Sequence, residues 1–162
     1  MIELKGEAEI TNIIDEFLNP FGCTSTMWLD FSYYYGSNLI TWSLLVSDTT
    51  DNTFKQFVEK EFSYITADLF LWSLLHELGH HETCDYWSEE EQIKFDEQKD
   101  KLENSTDDYA KSCIKYYYIQ DEYEATKWAA DYMEEHIEEI SELWDNLQEA
   151  IMSFYKVNNI SE

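Results

Sequence analysis

TADLFLWSLLHELGHHETC, residues 66–84, decides how the rest of the chain is read. Ala67, Leu69, Phe70, Leu71, Trp72, Leu74, Leu75 and Leu78 leave almost no polar face, so a helix here belongs at the centre of a domain. Near its end stands His76-Glu77-Leu78-Gly79-His80. On a helix, positions i and i+4 share one face about a turn apart, so both imidazoles reach a single ion. Glu77 stands beside that ion rather than on it, placed to take a proton from attacking water. The bland alternative is a His pair that caps a buried helix end. Against it, a chance HExxH falls more readily on a solvated face than on an apolar helix.

A catalytic zinc needs a third protein ligand and an open position. The residue six places after His80 is Tyr86, and no His occurs between His81 and His136. A carboxylate, Cys84 or His136 remains. Cys84 lies about 12 Å along the axis from His76 if the helix stays regular, which is too far. His136 sits in an acidic stretch that reads as surface. His81 is turned roughly 100° from His80 and points away from the ion.

Outward from this stretch, the chain of 162 residues reads as one domain, 1–162. Ala8, Ile10, Ile13, Ile14, Phe17 and Leu18 place a helix over 7–18, stopped by Asn19, Pro20 and Gly22. TMWLDFSYYY (26–35) and LITWSLLVS (39–47), with Gly36-Ser37-Asn38 between them, read as an antiparallel β-hairpin. Phe54, Phe57, Val58 and Phe62 mark a short helix over 51–62. Ser88-Glu-Glu-Glu91 is a capping box ahead of a charged surface segment. Asp121 is a candidate N-cap for a long C-terminal helix of about 121–155. Met133, Ile137, Ile140, Trp144, Leu147, Ile151 and Phe154 form a heptad stripe along it. That stripe either packs on the chain's own domain or pairs two copies as a homodimer.

Charge removes several function classes. Asp plus Glu number 35 against ten Lys and no Arg, a net charge of -25. Nucleic-acid phosphates and anionic membranes need clustered cations, so neither is a partner. A basic protein partner suits such a surface. Cys23, Cys84 and Cys113 show no tight spacing, which fits a reduced chain. No basic-then-apolar leader is visible, and Leu69 to Leu75 is too short to span a bilayer. The expected location is the cytoplasm.

A second motif lies in EYEATKWAADYM, Glu122 to Met133, with Glu122, Ala125, Trp128 and Ala129 in the pattern E-x-x-A-x-x-[FW]-A. HELGH followed by this motif resembles the small gluzincin metallopeptidases (minigluzincins) of the ImmA/IrrE type. The resemblance implies an α+β, mostly helical zincin-like domain with a small N-terminal antiparallel hairpin packed on the HExxH helix. It implies Zn²⁺ on His76, His80 and Glu122, with Glu77 as general base and the small Ala residues letting the two helices approach. Glu124 is the fallback ligand if the register is off by two. Thr126 departs from the family, which often has Asn or Asp after that Ala. Tyr116, Tyr117, Tyr118 and Tyr123 are candidate donors to the oxyanion. In gluzincins a strand before the metal helix lines the cleft, and LITWSLLVS is the candidate to pair with an extended substrate. By resemblance the substrate is an exposed segment of a regulatory protein, such as a basic DNA-binding repressor. Two readings compete: an acidic binding protein that mimics nucleic-acid charge, and a pseudo-protease that keeps zinc for structure.

Overall fold

Helix α1 (Glu7–Leu18) forms where the spacing predicts it, and Ile10, Ile14, Phe17 and Leu18 are buried on one face. Asn19-Pro20-Phe21 closes it in one 3-10 turn, and Gly22 at φ 77° turns the chain away. The computed structural model describes residues 4–44, 48–62 and 68–159. Over these the fold is α+β, mostly helical, with one small mixed sheet. Contacts gather into two compact units, one from residues up to Ser43 and from Glu135 onward, the other Leu44–Glu134.

The first unit holds the sheet. Strands β1 (Thr24–Met27), β2 (Ser32–Tyr34) and β3 (Leu39–Trp42) lie in the order β1-β3-β2. β2 and β3 form the expected antiparallel hairpin, with Tyr34 opposite Leu39. The rest differs from expectation. Residues 26–35 are not one strand, because the chain turns at Asp30. Its carboxylate accepts from Ser32 Oγ at 3.3 Å, and its carbonyl accepts from Thr41 Oγ1 at 2.9 Å. This frees β1 to pair in parallel with β3. β3 is therefore the central strand. Both its edges are taken, so Leu39–Trp42 has no free edge for a substrate, contrary to expectation. Residues 45–47 of LITWSLLVS lie outside the described residues. The backbone N–H of Ser25 in β1 donates to Asp15 of α1 at 2.6 Å, which fastens the sheet to the helix.

The long helix expected over 121–155 is two helices, α6 (Gln120–Glu135) and α7 (Ile137–Val157), with His136 at φ -127°, ψ 42° between them. No Gly or Pro marks the break. Glu134 and Glu138, and Glu135 and Glu139, are like charges at i,i+4, and each such pair opposes a continuous helix by about 0.2–0.5 kcal/mol. Asp121 is also not the N-cap, since α6 starts at Gln120. In α7 the buried line is Ile140, Leu143, Leu147, Ala150 and Phe154. Ile137 of the expected stripe is 64% exposed. α7 packs along α1 within this unit, and Asn158 donates to the Lys5 carbonyl at 2.7 Å.

The second unit is helical. α2 (Asp48–Glu61) buries Phe54, Phe57 and Val58. α3 (Leu69–Thr83) carries HELGH and is capped by Asp68, which accepts from the Phe70 N–H at 2.8 Å. Residues 66 and 67 of the expected helix lie outside the described residues. α4 (Glu89–Glu103) opens on the expected capping box of Ser88 and Glu91. It is charged and mostly exposed, but Phe95 is buried on Trp87, ring centroids 5.1 Å apart. α5 (Tyr109–Tyr117), capped by Asp108, packs on α2 and α4. Among the described residues no helix is long and apolar enough to cross a membrane.

Candidate metal centre

α3 and α6 face each other with Gly79 against the main chain of Ala125. That close approach sets the side chains of HELGH beside the first turn of α6. His76 Nε2 lies 3.2 Å from Glu122 Oε1, and His80 Nε2 lies 2.9 Å from Glu122 Oε2. One ligand atom from each of the three side chains falls within 4.8 Å of the others, and all three residues are buried. Zinc bonds of about 2.0–2.1 Å at tetrahedral angles put ligand atoms about 3.3 Å apart. The two carboxylate–imidazole spacings are close to that.

The hydrogen bonds around His76 determine which nitrogen is bare. Thr126 Oγ1 donates to the Glu122 carbonyl at 3.1 Å. Its lone pairs therefore face His76 Nδ1, 2.8 Å away, and Nδ1 carries the proton. Nε2 of a neutral His76 then presents a lone pair to an anionic oxygen. Two electron-rich atoms at 3.2 Å repel unless a proton or a metal ion lies between them, and the donor set fits a metal ion there. Burial alone would push the Glu122 carboxyl up, but with a proton in the metal's place the imidazoles of His80 and His76 donate to it, outweigh burial and hold it well below the ordinary range.

The other expected residues sort by position. Glu77 is half-buried on α3, outside the three-residue cluster, and its charge reaches Tyr116 and Tyr117. Glu124 is not in the cluster. Cys84 lies in the 3-10 turn after α3, where its thiol donates to the His81 carbonyl at 3.1 Å. His136 belongs to the other unit, between α6 and α7. Among the tyrosines, Tyr116 is singled out. Burial, and then the charges of Glu122 and Glu77, hold its phenol protonated far above the ordinary range. Tyr117 packs on Phe54 and Phe57. Tyr118 donates to Glu61 Oε1 at 2.6 Å, and Tyr123 packs on Phe57 and Phe62.

Comparison with known proteins identifies no relative: no family model, curated protein or solved structure matches the chain.

Two site residues escape a reading of the sequence. Lys99 of α4 donates to Asp121 Oδ2 at 2.8 Å and to Glu122 Oε2 at 3.2 Å. Burial alone would lower its ammonium pKa, but the charges of Glu122 and Asp121 outweigh this and raise it. Nothing distinguishes Lys99 from the other lysines of a charged helix except the partners that folding brings to it. Thr126 was visible only as a departure from the family pattern. In the structure it is the polar partner of the His76 imidazole, the kind of outer contact a metal-binding His needs.

Proposed function

We propose that this chain is a zinc-dependent metallo-endopeptidase. The observation that carries the reading is the convergence of both HExxH imidazoles on the buried carboxylate of Glu122, with Glu77 outside that trio. His76, His80 and Glu122 would hold the ion. Bound there, Zn²⁺ supplies a Lewis acid that polarises a peptide carbonyl and makes a water acidic near neutrality. Glu77 takes the proton of the attacking water and passes it to the leaving amine. Tyr116, whose phenol is kept protonated by burial and by the neighbouring carboxylates of Glu122 and Glu77, donates its hydrogen to the developing oxyanion. The substrate is an exposed segment of a protein. A net charge of -25 favours a basic one, such as a DNA-binding repressor, by steering and by exclusion of acidic competitors.

The test is metal content followed by hydrolysis. Elemental mass spectrometry of the purified protein is expected to find about one zinc per chain, lost in His80→Ala. Glu77→Gln is expected to keep the zinc and lose hydrolysis. A folded wild-type protein that takes up no zinc would sink the reading.

A further inference from the structure

Tyr116 and Lys99 belong to a second feature as well. Both line a cavity of about 710 Å³ between α4 and α5, within the same unit. That volume accommodates a long side chain. Tyr109 and Tyr117 add two further aromatic rings to its lining, and Asp100 and Glu103 add carboxylates one helical turn apart on α4.

The charges decide what such a cavity takes. Lys99 is committed to Asp121 and Glu122. Asp107, also in the lining, is committed to Lys115. Among the described residues, no lysine pairs with Asp100 or Glu103. Lys99 lies over the Tyr116 ring, 5.5 Å from its centroid, and Tyr117 stacks on Phe57, so the lining offers the exposed ring of Tyr109 and the exposed carboxylates of Asp100 and Glu103, with no further cation. An acidic side chain is repelled. A lysine or arginine lays its methylene stem on the ring of Tyr109 and sets its charge at the carboxylates.

We propose that this cavity is a specificity subsite for a basic side chain of the bound peptide. The proposal rests on the peptidase reading for its place in a reaction. Tyr116 lines the cavity and also lies by Glu122. The side chain held there therefore belongs to a residue flanking the bond that is cut.

Binding tests the cavity apart from catalysis. The full chain carrying Glu77→Gln, with and without zinc, is titrated with a blocked pentapeptide containing one arginine among alanines. The control has norleucine in place of arginine. Backbone amide NMR signals are the readout. The arginine peptide is expected to shift the signals of Tyr109, Ser112 and Cys113 to saturation, at least tenfold more tightly than the norleucine peptide. Adding Asp100→Asn and Glu103→Gln is expected to bring the two peptides within twofold. Equal binding of the two peptides, no shift at those residues, or a preference unchanged by the double substitution overturns the proposal. Wild-type protein and a mixed peptide pool supply the second arm. Cleavage with Lys or Arg enriched at one position beside the cut supports the subsite, and cleavage without it overturns the subsite. Arginine-selective binding in a protein that neither holds zinc nor cleaves supports the cavity's selectivity and sinks the peptidase reading.

Discussion

Gly79 of α3 lies directly under the main chain of Ala125 of α6: a Cβ at position 79 would sit 2.3 Å from the Ala125 carbonyl oxygen and 2.9 Å from its carbonyl carbon. Two effects of Gly79→Ala therefore oppose each other. Alanine gains about 1 kcal/mol of helix propensity. The clash is with backbone, which cannot swing aside, and overpacking of this kind costs about 1–3 kcal/mol or more. A 2.3 Å approach to backbone puts the clash at the upper end of that range, so it is expected to win, with a net loss of about 2 kcal/mol or more and a matching fall in the denaturation midpoint. Because the contact also sets the spacing of HELGH from Glu122, zinc affinity is expected to fall with it. Unchanged stability would mean that α3 and α6 do not approach this closely.

Glu122 and Glu124 are two residues apart in one acidic helix, yet only Glu122 joins the His pair. Glu122→Ala is expected to weaken zinc binding by at least 100-fold in a chelator competition. Glu124→Ala is expected to change it by less than threefold. The reverse order would mean that the register is off by two, with Glu124 as the ligand.

What could be read in advance follows the range of the interactions involved. The helical spacing of Ile10, Ile14 and Leu18, the box of Ser88 and Glu91 and the i,i+4 pair of His76 and His80 are local, and they form as expected. The spacing rules left the third ligand open between a carboxylate, Cys84 and His136. Glu122 came from the E-x-x-A-x-x-[FW]-A resemblance, and the structure brings it to the His pair. The parallel pairing of β1 with β3 was not legible, because strand order depends on contacts that alternation along one strand does not encode. The break at His136 lacks Pro and Gly. It shows only in which residues are buried, Met133 in one unit and Ile140 in the other. Lys99 was illegible for a third reason. A buried ion pair is defined by its partner, and α4 gives no sign of facing Asp121.

Tyr118 provides a pH test of how α2 and α5 are joined. The hydrogen bond from its phenol to Glu61, more than burial, pushes its pKa up to about 12. The group is neutral when protonated, so a raised folded pKa favours the folded state below its unfolded value of about 10. That contribution is lost as pH rises through about 12. Tyrosine ring signals followed by NMR are expected to show Tyr118 ionising near 12. In Glu61→Gln its titration is expected to move down toward 10. A Tyr118 that ionises near 10 in the wild type would show that the bond to Glu61 does not form.

Thr126 gives the sharpest test of the site because its hydroxyl joins His76 Nδ1 to the Glu122 carbonyl. Thr126→Val keeps the shape and removes the oxygen that accepts from Nδ1 at 2.8 Å. His76 then loses the contact that holds its proton on Nδ1 and its lone pair on Nε2. The buried imidazole also keeps an unsatisfied N–H, at a cost of about 1–3 kcal/mol. Outer-contact losses of this kind weaken metal binding by about 10–100-fold, and that is the expected effect here. Thr126→Ser restores the oxygen and is expected to restore affinity to within a few-fold. A purely structural role for Thr126 predicts the opposite ranking, since Val keeps the packing of the Thr methyl and Ser loses it. Zinc competition on the three folded proteins separates the two accounts. If Val binds zinc as tightly as Thr, the hydroxyl does not orient His76.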